Sequence, residues 1–207
     1  MKLRKTLAIG LSIGLALGTF GCSNKTETPN EENITNNSAT ETNKYAGTEY
    51  YNQYSDLYSN NLRPLSNYNI YRTVDDVNKA YENENDYPGN EKYLSDLKAA
   101  YKDSKEKIQA FIDGLKNDVK TDDKDLKAAN DELIAEGEKL INEIDARMKK
   151  LDTIPKDAYS KSKDEFIKLV DDTTKVEGDV SNEFDKMIKN MNEMLGINTT
   201  PSTKTTK

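Results

Sequence analysis

The 207-residue chain contains no histidine and a single cysteine, Cys22. Those two shortages exclude Ser-His-Asp and Cys-His nucleophiles, zinc sites built on His or Cys, and haem held by His. Its ten glycines form neither a GxxxxGK[ST] phosphate loop nor a Gly-rich dinucleotide turn. No stretch alternates apolar and polar residues in the manner of a strand. Basic residues are in deficit, 30 against 37 acidic, for a formal net charge of -7, which disfavours nucleic acid as a partner. Chemistry by carboxylates alone remains formally open, but pairs such as Asp171-Asp172 read as solvated helix faces. Asp122, Asp123 and Asp125 lack the glycine and distal glutamate of an EF-hand loop and read as helix-capping residues. The expectation is a protein with no cofactor, no metal and no enzymatic activity.

What the chain does have begins at its N-terminus. Met1-Lys2-Leu3-Arg4-Lys5 is basic, and Thr6 to Phe20 is apolar or small and carries no charge. That apolar run is shorter than the ~20 residues a membrane-spanning helix needs, so it reads as the core of a secretory signal. Gly21 supplies the small residue a signal peptidase requires, and Cys22 follows it directly. Residues 18–22 (Gly-Thr-Phe-Gly-Cys) resemble the lipobox of bacterial lipoproteins, although Thr19 stands where that pattern prefers leucine. The resemblance implies cleavage between Gly21 and Cys22 and a thioether-linked diacylglycerol on the Cys22 sulfur, with palmitate-type acyl chains. A thiolate is the side chain nucleophilic enough to take an alkyl group. Two acyl chains then anchor stably where one would bind reversibly. The expected address is the extracytoplasmic face of the cell membrane.

Composition changes abruptly past Cys22. Residues 23–46 are almost entirely Asn, Thr, Glu, Ser and Lys, too polar to offset the entropy of ordering, so residues 22–46 read as a lipidated, disordered tether. A flexible coil of that length reaches about 25 to 30 Å. Residues 196–207 are Thr-rich and polar and read as a loose tail. Loss of Lys2, Arg4 and Lys5 with the signal, residues 1–21, leaves 27 basic against 37 acidic residues and a net charge of -10.

Apolar residues concentrate between 90 and 195, where they recur at helical spacing. Leu97, Tyr101, Ser104, Ile108, Phe111, Leu115 and Val119 step by four and three, a coiled-coil-like seam over residues 90–120. Leu126, Ala129, Leu133, Gly137, Leu140, Ile144, Met148 and Leu151 do the same from 122 to 151, with Ile134 and Ile141 widening the stripe. Thr121 or Asp122 is placed to cap that helix, and Ile154-Pro155 to stop it. A third long helix is expected over 156–195 from Phe166, Val170, Thr173, Glu177, Val180, Phe184, Met187, Met191 and Met194, ending at Gly196. Upstream, 48–62 and 73–81 read as shorter helices, the second opened by a capping box from Thr73 to Asp76. The fold class is all-α: an elongated antiparallel bundle of three long helices plus shorter N-terminal helices, occupying residues 47–195.

Eleven of the twelve tyrosines lie between Tyr45 and Tyr101. Tyr51, Tyr54 and Tyr58 are the candidate binding residues, because aromatic faces stack on sugars and grip protein partners. Their spacing also follows the core face, which favours a packing role. Met187, Met191 and Met194 suggest an adaptable docking groove or a flexible bundle end, and Gly114, Gly137 and Gly178 suggest close helix approach or a bend. The segment Glu49-Tyr50-Tyr51-Asn52-Gln53-Tyr54, with Leu57-Tyr58, resembles the opening of an uncharacterised family of bacterial helical lipoproteins, which brings no activity with it. Two functions follow. One is a membrane-anchored, non-enzymatic bundle meeting the cell wall or another envelope protein, which calls for an exposed apolar helix face. The other is a binding module for wall glycan or extracellular peptide in the Tyr-rich half, which calls for a concave aromatic cleft.

Overall fold

A computed structural model describes residues 43–175 and 180–197. The signal segment, Gly21, Cys22 and most of the tether lie outside the described residues, as do Glu177 and Gly178. The described residues are helical throughout, without strands.

Two 28-residue helices form the frame, α3 (Asn90–Asn117) and α4 (Lys124–Leu151). The shorter α1 (Glu49–Leu57) and α2 (Val74–Ala80) precede them, while α5 (Lys163–Thr174) and α6 (Val180–Leu195) follow. The turn between α3 and α4 is short, so the two run antiparallel. Ion pairs cross their seam in matching order: Lys98 to Asp152 at 2.7 Å, Lys105 to Asp145 at 2.6 Å and Lys116 to Glu138 at 2.5 Å. Asp123, rather than Thr121 or Asp122, caps α4, its carboxylate accepting the backbone N–H groups of Asp125 and Leu126 at 3.0 and 3.1 Å. The Leu126 amide is the main influence holding the Asp123 carboxyl below its usual range.

The expected third long helix is divided. A 3-10 turn at Lys156–Ser160 follows Pro155, and Ser162 opens α5 with a capping box in which Glu165 Oε2 receives the Ser162 hydroxyl at 2.9 Å. At the other end Thr174 Oγ1 donates back to the Val170 and Asp171 carbonyls, and Lys175 turns extended. Such back-bonding by a β-branched residue competes with the helix ladder. The apolar seam is displaced as well: α6 buries Phe184, Ile188, Met191 and Leu195, leaving Met187 and Met194 at its flanks.

Helix α4 sits centrally, in contact with α3, α5 and α6. This explains why its buried stripe is wide enough to take in Asn130, Glu136 and Arg147 beside the expected leucines and isoleucines. The N-terminal segment lies along α3. It leaves α1 through a π turn at Tyr58–Leu62, then a 3-10 stretch at Arg63–Tyr71 that begins where Pro64 removes a backbone donor. Thr48 and Thr73 cap α1 and α2.

The folded unit starts earlier than its composition suggests. Asn43 Nδ2 donates to the Met194 carbonyl at 2.9 Å, and its Oδ1 accepts the Tyr45 amide at 2.9 Å. Tyr45 is buried, with its hydroxyl on Asp123 Oδ2 at 3.2 Å. Residues 43–46 therefore belong to the bundle and not to the tether. Gly196, at φ +68°, ends α6, and the Ile197 amide returns to the Asn192 carbonyl at 2.8 Å. The two ends of the folded unit meet at one pole.

Candidate functional site

The tyrosines of α1 form a ladder one residue out of the expected register. Tyr50, Tyr54 and Tyr58, four apart, stack with ring centroids 6.3 Å apart at each step and planes within 8° of parallel. Tyr54 also meets Phe111 of α3 edge-on at 5.9 Å. Tyr50 donates to Asn130 Oδ1 on α4 at 3.1 Å, with Met191 of α6 beside it. The spacing i, i+4, i+8 was present in the sequence, and counting Tyr51 in place of Tyr50 concealed it. Of the three candidate binding residues, Tyr54 is 0% exposed and Tyr58 buried, while Tyr51 is half-buried against the core. As they lie, Tyr54 and Tyr58 offer no ring face to a ligand. Burial pushes both hydroxyls above the ordinary phenol range, and that of Tyr54 finds no hydrogen-bond partner.

A second aromatic group gathers around Tyr93, which is fully buried near the start of α3. Tyr71, Tyr81, Tyr87 and Phe166 surround it at 5.8 to 6.5 Å. Asn90 secures this end of the bundle, donating to the Tyr159 and Lys161 carbonyls at 3.1 and 2.7 Å and accepting from the Tyr87 hydroxyl at 2.7 Å. Both aromatic groups fill space between helices, and neither forms a concave cleft.

The surface of the described residues is polar. Ile70 is the one large apolar side chain that counts as exposed, at 37%. A hollow of about 520 Å³, open to solvent, lies between the start of α1 and the turn before α4. Charges of both signs line it, among them Lys44, Glu49, Lys120, Asp122 and Asp123. Among the described residues no cluster of acids is arranged to hold a metal ion, and no helix is long and apolar enough to cross a membrane. Met191 is buried, and Met187 and Met194 pack against the core, so they form no open groove.

The most unusual chemistry lies inside, where α3, α4 and α5 meet. Arg147 and Glu143, one turn apart on α4, form an ion pair with both side chains 8% exposed, Nε donating to Oε1 at 2.9 Å and Nη2 to the same oxygen. Asp171 of α5 is 1% exposed, which corrects the expectation of a solvated Asp171-Asp172 face. Only Asp172 is on the surface. Burial raises the Asp171 carboxyl above its usual range, with Lys175 partly opposing it. Tyr101 of α3 senses Arg147, Glu143 and Asp171 together, and its burial lifts the phenol to about 12. Periodicity could not reveal this cluster, because Asp171 and Arg147 each look like ordinary polar residues flanking an apolar stripe.

Comparison of the chain with known protein families, with curated proteins and with solved structures finds no match.

Proposed function

We propose that this protein is a bacterial lipoprotein of the cell envelope. Cleavage after Gly21 makes Cys22 the new N-terminus, and its diacylglyceryl group anchors the chain on the extracytoplasmic face of the membrane. The polar residues that follow hold a non-enzymatic helical bundle away from the lipid, presented to the cell wall or to another envelope protein. The observation that carries this reading is the N-terminal order of basic start, uncharged apolar core, Gly21 and the solitary Cys22. The bundle supports it in one respect: its core is filled by aromatic and aliphatic side chains that need no thiol. Since one large apolar side chain is exposed and the tyrosine rings are packed, contact with a partner runs through charged and amide groups and is weakened by salt.

Detergent phase separation of the full chain expressed in a bacterial host tests the anchor. The wild type is expected in the detergent phase, with a diacylglyceryl mass on an N-terminal peptide beginning at Cys22, and Cys22→Ser in the aqueous phase. A wild-type chain that stays aqueous and carries no lipid on Cys22 overturns the reading. Cosedimentation of the released protein with purified sacculi then separates a wall partner from a protein partner.

A further inference from the structure

Buried oxygens without a hydrogen-bond partner include Ser104 Oγ on α3, Glu143 Oε2 on α4 and Asp171 Oδ1 on α5. A buried polar atom left unpaired is costly, and an ionised one more so. The charges nearby are unevenly committed. Both Arg147 nitrogens that bond a carboxylate go to Glu143 Oε1. Asp171 has only Lys175, 3.3 Å away at Oδ2, and that half-exposed ammonium lies closer to the surface carboxylate of Asp172, at 2.5 Å.

Asp171 stands one turn before α5 ends, and Lys150 of α4 donates to the Lys175 carbonyl at 2.5 Å, across the same junction. Asp171 interacts with Lys175, Asp172 and Lys168 of its own helix and with Tyr101 of α3, and Tyr101 in turn meets the Arg147–Glu143 pair of α4. Helix α2 meets α5 near its first turn, where Lys163 Nζ donates to the Tyr81 carbonyl at 3.1 Å.

We propose that Asp171 is a proton-operated latch: neutral, it keeps the last turn of α5 docked on α3 and α4, and ionised, it draws that turn outward toward Lys175 and water. A carboxylate is acceptor-only, whereas the protonated acid gains one O–H donor and loses its charge. Protonation therefore removes the buried charge at a carboxylate whose Oδ1 has no partner. The sign follows from linkage. A carboxyl whose docked pKa is raised adds stability that is complete below its undocked value, and that stability is lost as pH rises through the docked value. The bundle would hold the last turn of α5 tightly below the ordinary carboxylate range and release it as pH rises through the Asp171 midpoint.

The test uses the full chain in detergent, with side-chain carboxyls followed by NMR and amide exchange of residues 166–175 followed by mass spectrometry at each pH. Asp171, assigned by its absence in Asp171→Asn, is expected to titrate above Asp172. Protection of the last α5 turn, corrected for intrinsic exchange, should fall by up to about tenfold per pH unit between the ordinary carboxylate range and the Asp171 midpoint. In Asp171→Asn it should stay high across that window. Lys175→Met should move the wild-type Asp171 midpoint upward, and this arm stands even where Asp171→Asn fails to fold. An Asp171 midpoint at or below that of Asp172, or a pH dependence unchanged in Asp171→Asn, overturns the latch.

Discussion

Tyr54 shows how a single side chain divides into two opposing contributions. Its ring is buried between α1 and α3, and its hydroxyl is buried without a partner. Tyr54→Ala should cost about 3–5 kcal/mol, the usual range for removing a core aromatic. Tyr54→Phe keeps the ring and removes the unpaired oxygen, so it should be neutral or stabilising. Urea denaturation of both variants checks the pair; a Phe variant as unstable as the Ala variant would mean that the hydroxyl, and not the ring, holds α1 in place. The same reasoning governs any use of the tyrosines as binding probes. A Tyr54 or Tyr58 alanine variant loses core packing whatever it does to binding, whereas half-buried Tyr51 is the position where a binding effect can be separated from a folding one. Asp171 adds the pH arm at this scale: with its carboxyl raised by burial, its own contribution to stability should be complete below the ordinary carboxylate range and be lost as pH rises through its midpoint.

Among the helices, two glycines decide how closely neighbours approach. A Cβ built on Gly137 in α4 would lie 2.4 Å from Ile112 Cδ1 and 3.1 Å from Phe184 Cε2, both fully packed core residues. Gly137→Ala should therefore destabilise by about 1–3 kcal/mol, overriding the gain in helix propensity of ~1 kcal/mol. At Gly114 in α3 the collision is with the Leu57 methyls, at 2.3 and 2.7 Å. Leu57 is only partly buried, so it can swing aside and Gly114→Ala should cost less. Thermal melts of the two variants give the order, and the reverse order would show that α1 is packed more rigidly than the contact between α4 and α6. The pattern of fours and threes located α3 and α4 well because each has a long uninterrupted stripe, and an acidic capping signal marks the start of α4. It carried the third helix straight through Ser162, where the Ser162-x-x-Glu165 box was legible and marks a new start.

At the scale of the whole molecule, Asn43 joins the entering chain to the end of α6, so both ends of the described fold, residues 43 and 197, lie at the same pole. A fragment beginning at residue 43 should be more stable than one beginning at 47, by roughly 1–2 kcal/mol for the lost hydrogen bonds and the buried Tyr45. Exchange at the last turn of α6 should also rise in the shorter fragment. Equal stability and equal exchange would return the boundary to where composition put it. The α3–α4 turn lies at that pole, where Tyr45 meets Asp123, and the Tyr93 cluster lies at the other end of α3, about 40 Å away along a 28-residue helix.

The sequence by itself determined the all-α class, the positions of α3 and α4, the cap of α4 to within two residues, and the absence of any His- or Cys-based chemistry in the bundle. Those properties are local: they depend on periodicity, capping residues and residue type, each readable within one or two helical turns. Tertiary structure alone decided which tyrosines form the ladder, that Asp171 and not Asp172 is buried, and that Asn43 belongs to the fold. Each of these depends on which residues from distant segments share a space. A polar residue one position off an apolar stripe is solvated if no helix covers it and buried if one does, and Asp171 is buried only because the chain turns back after Leu151 and packs α5 against α4.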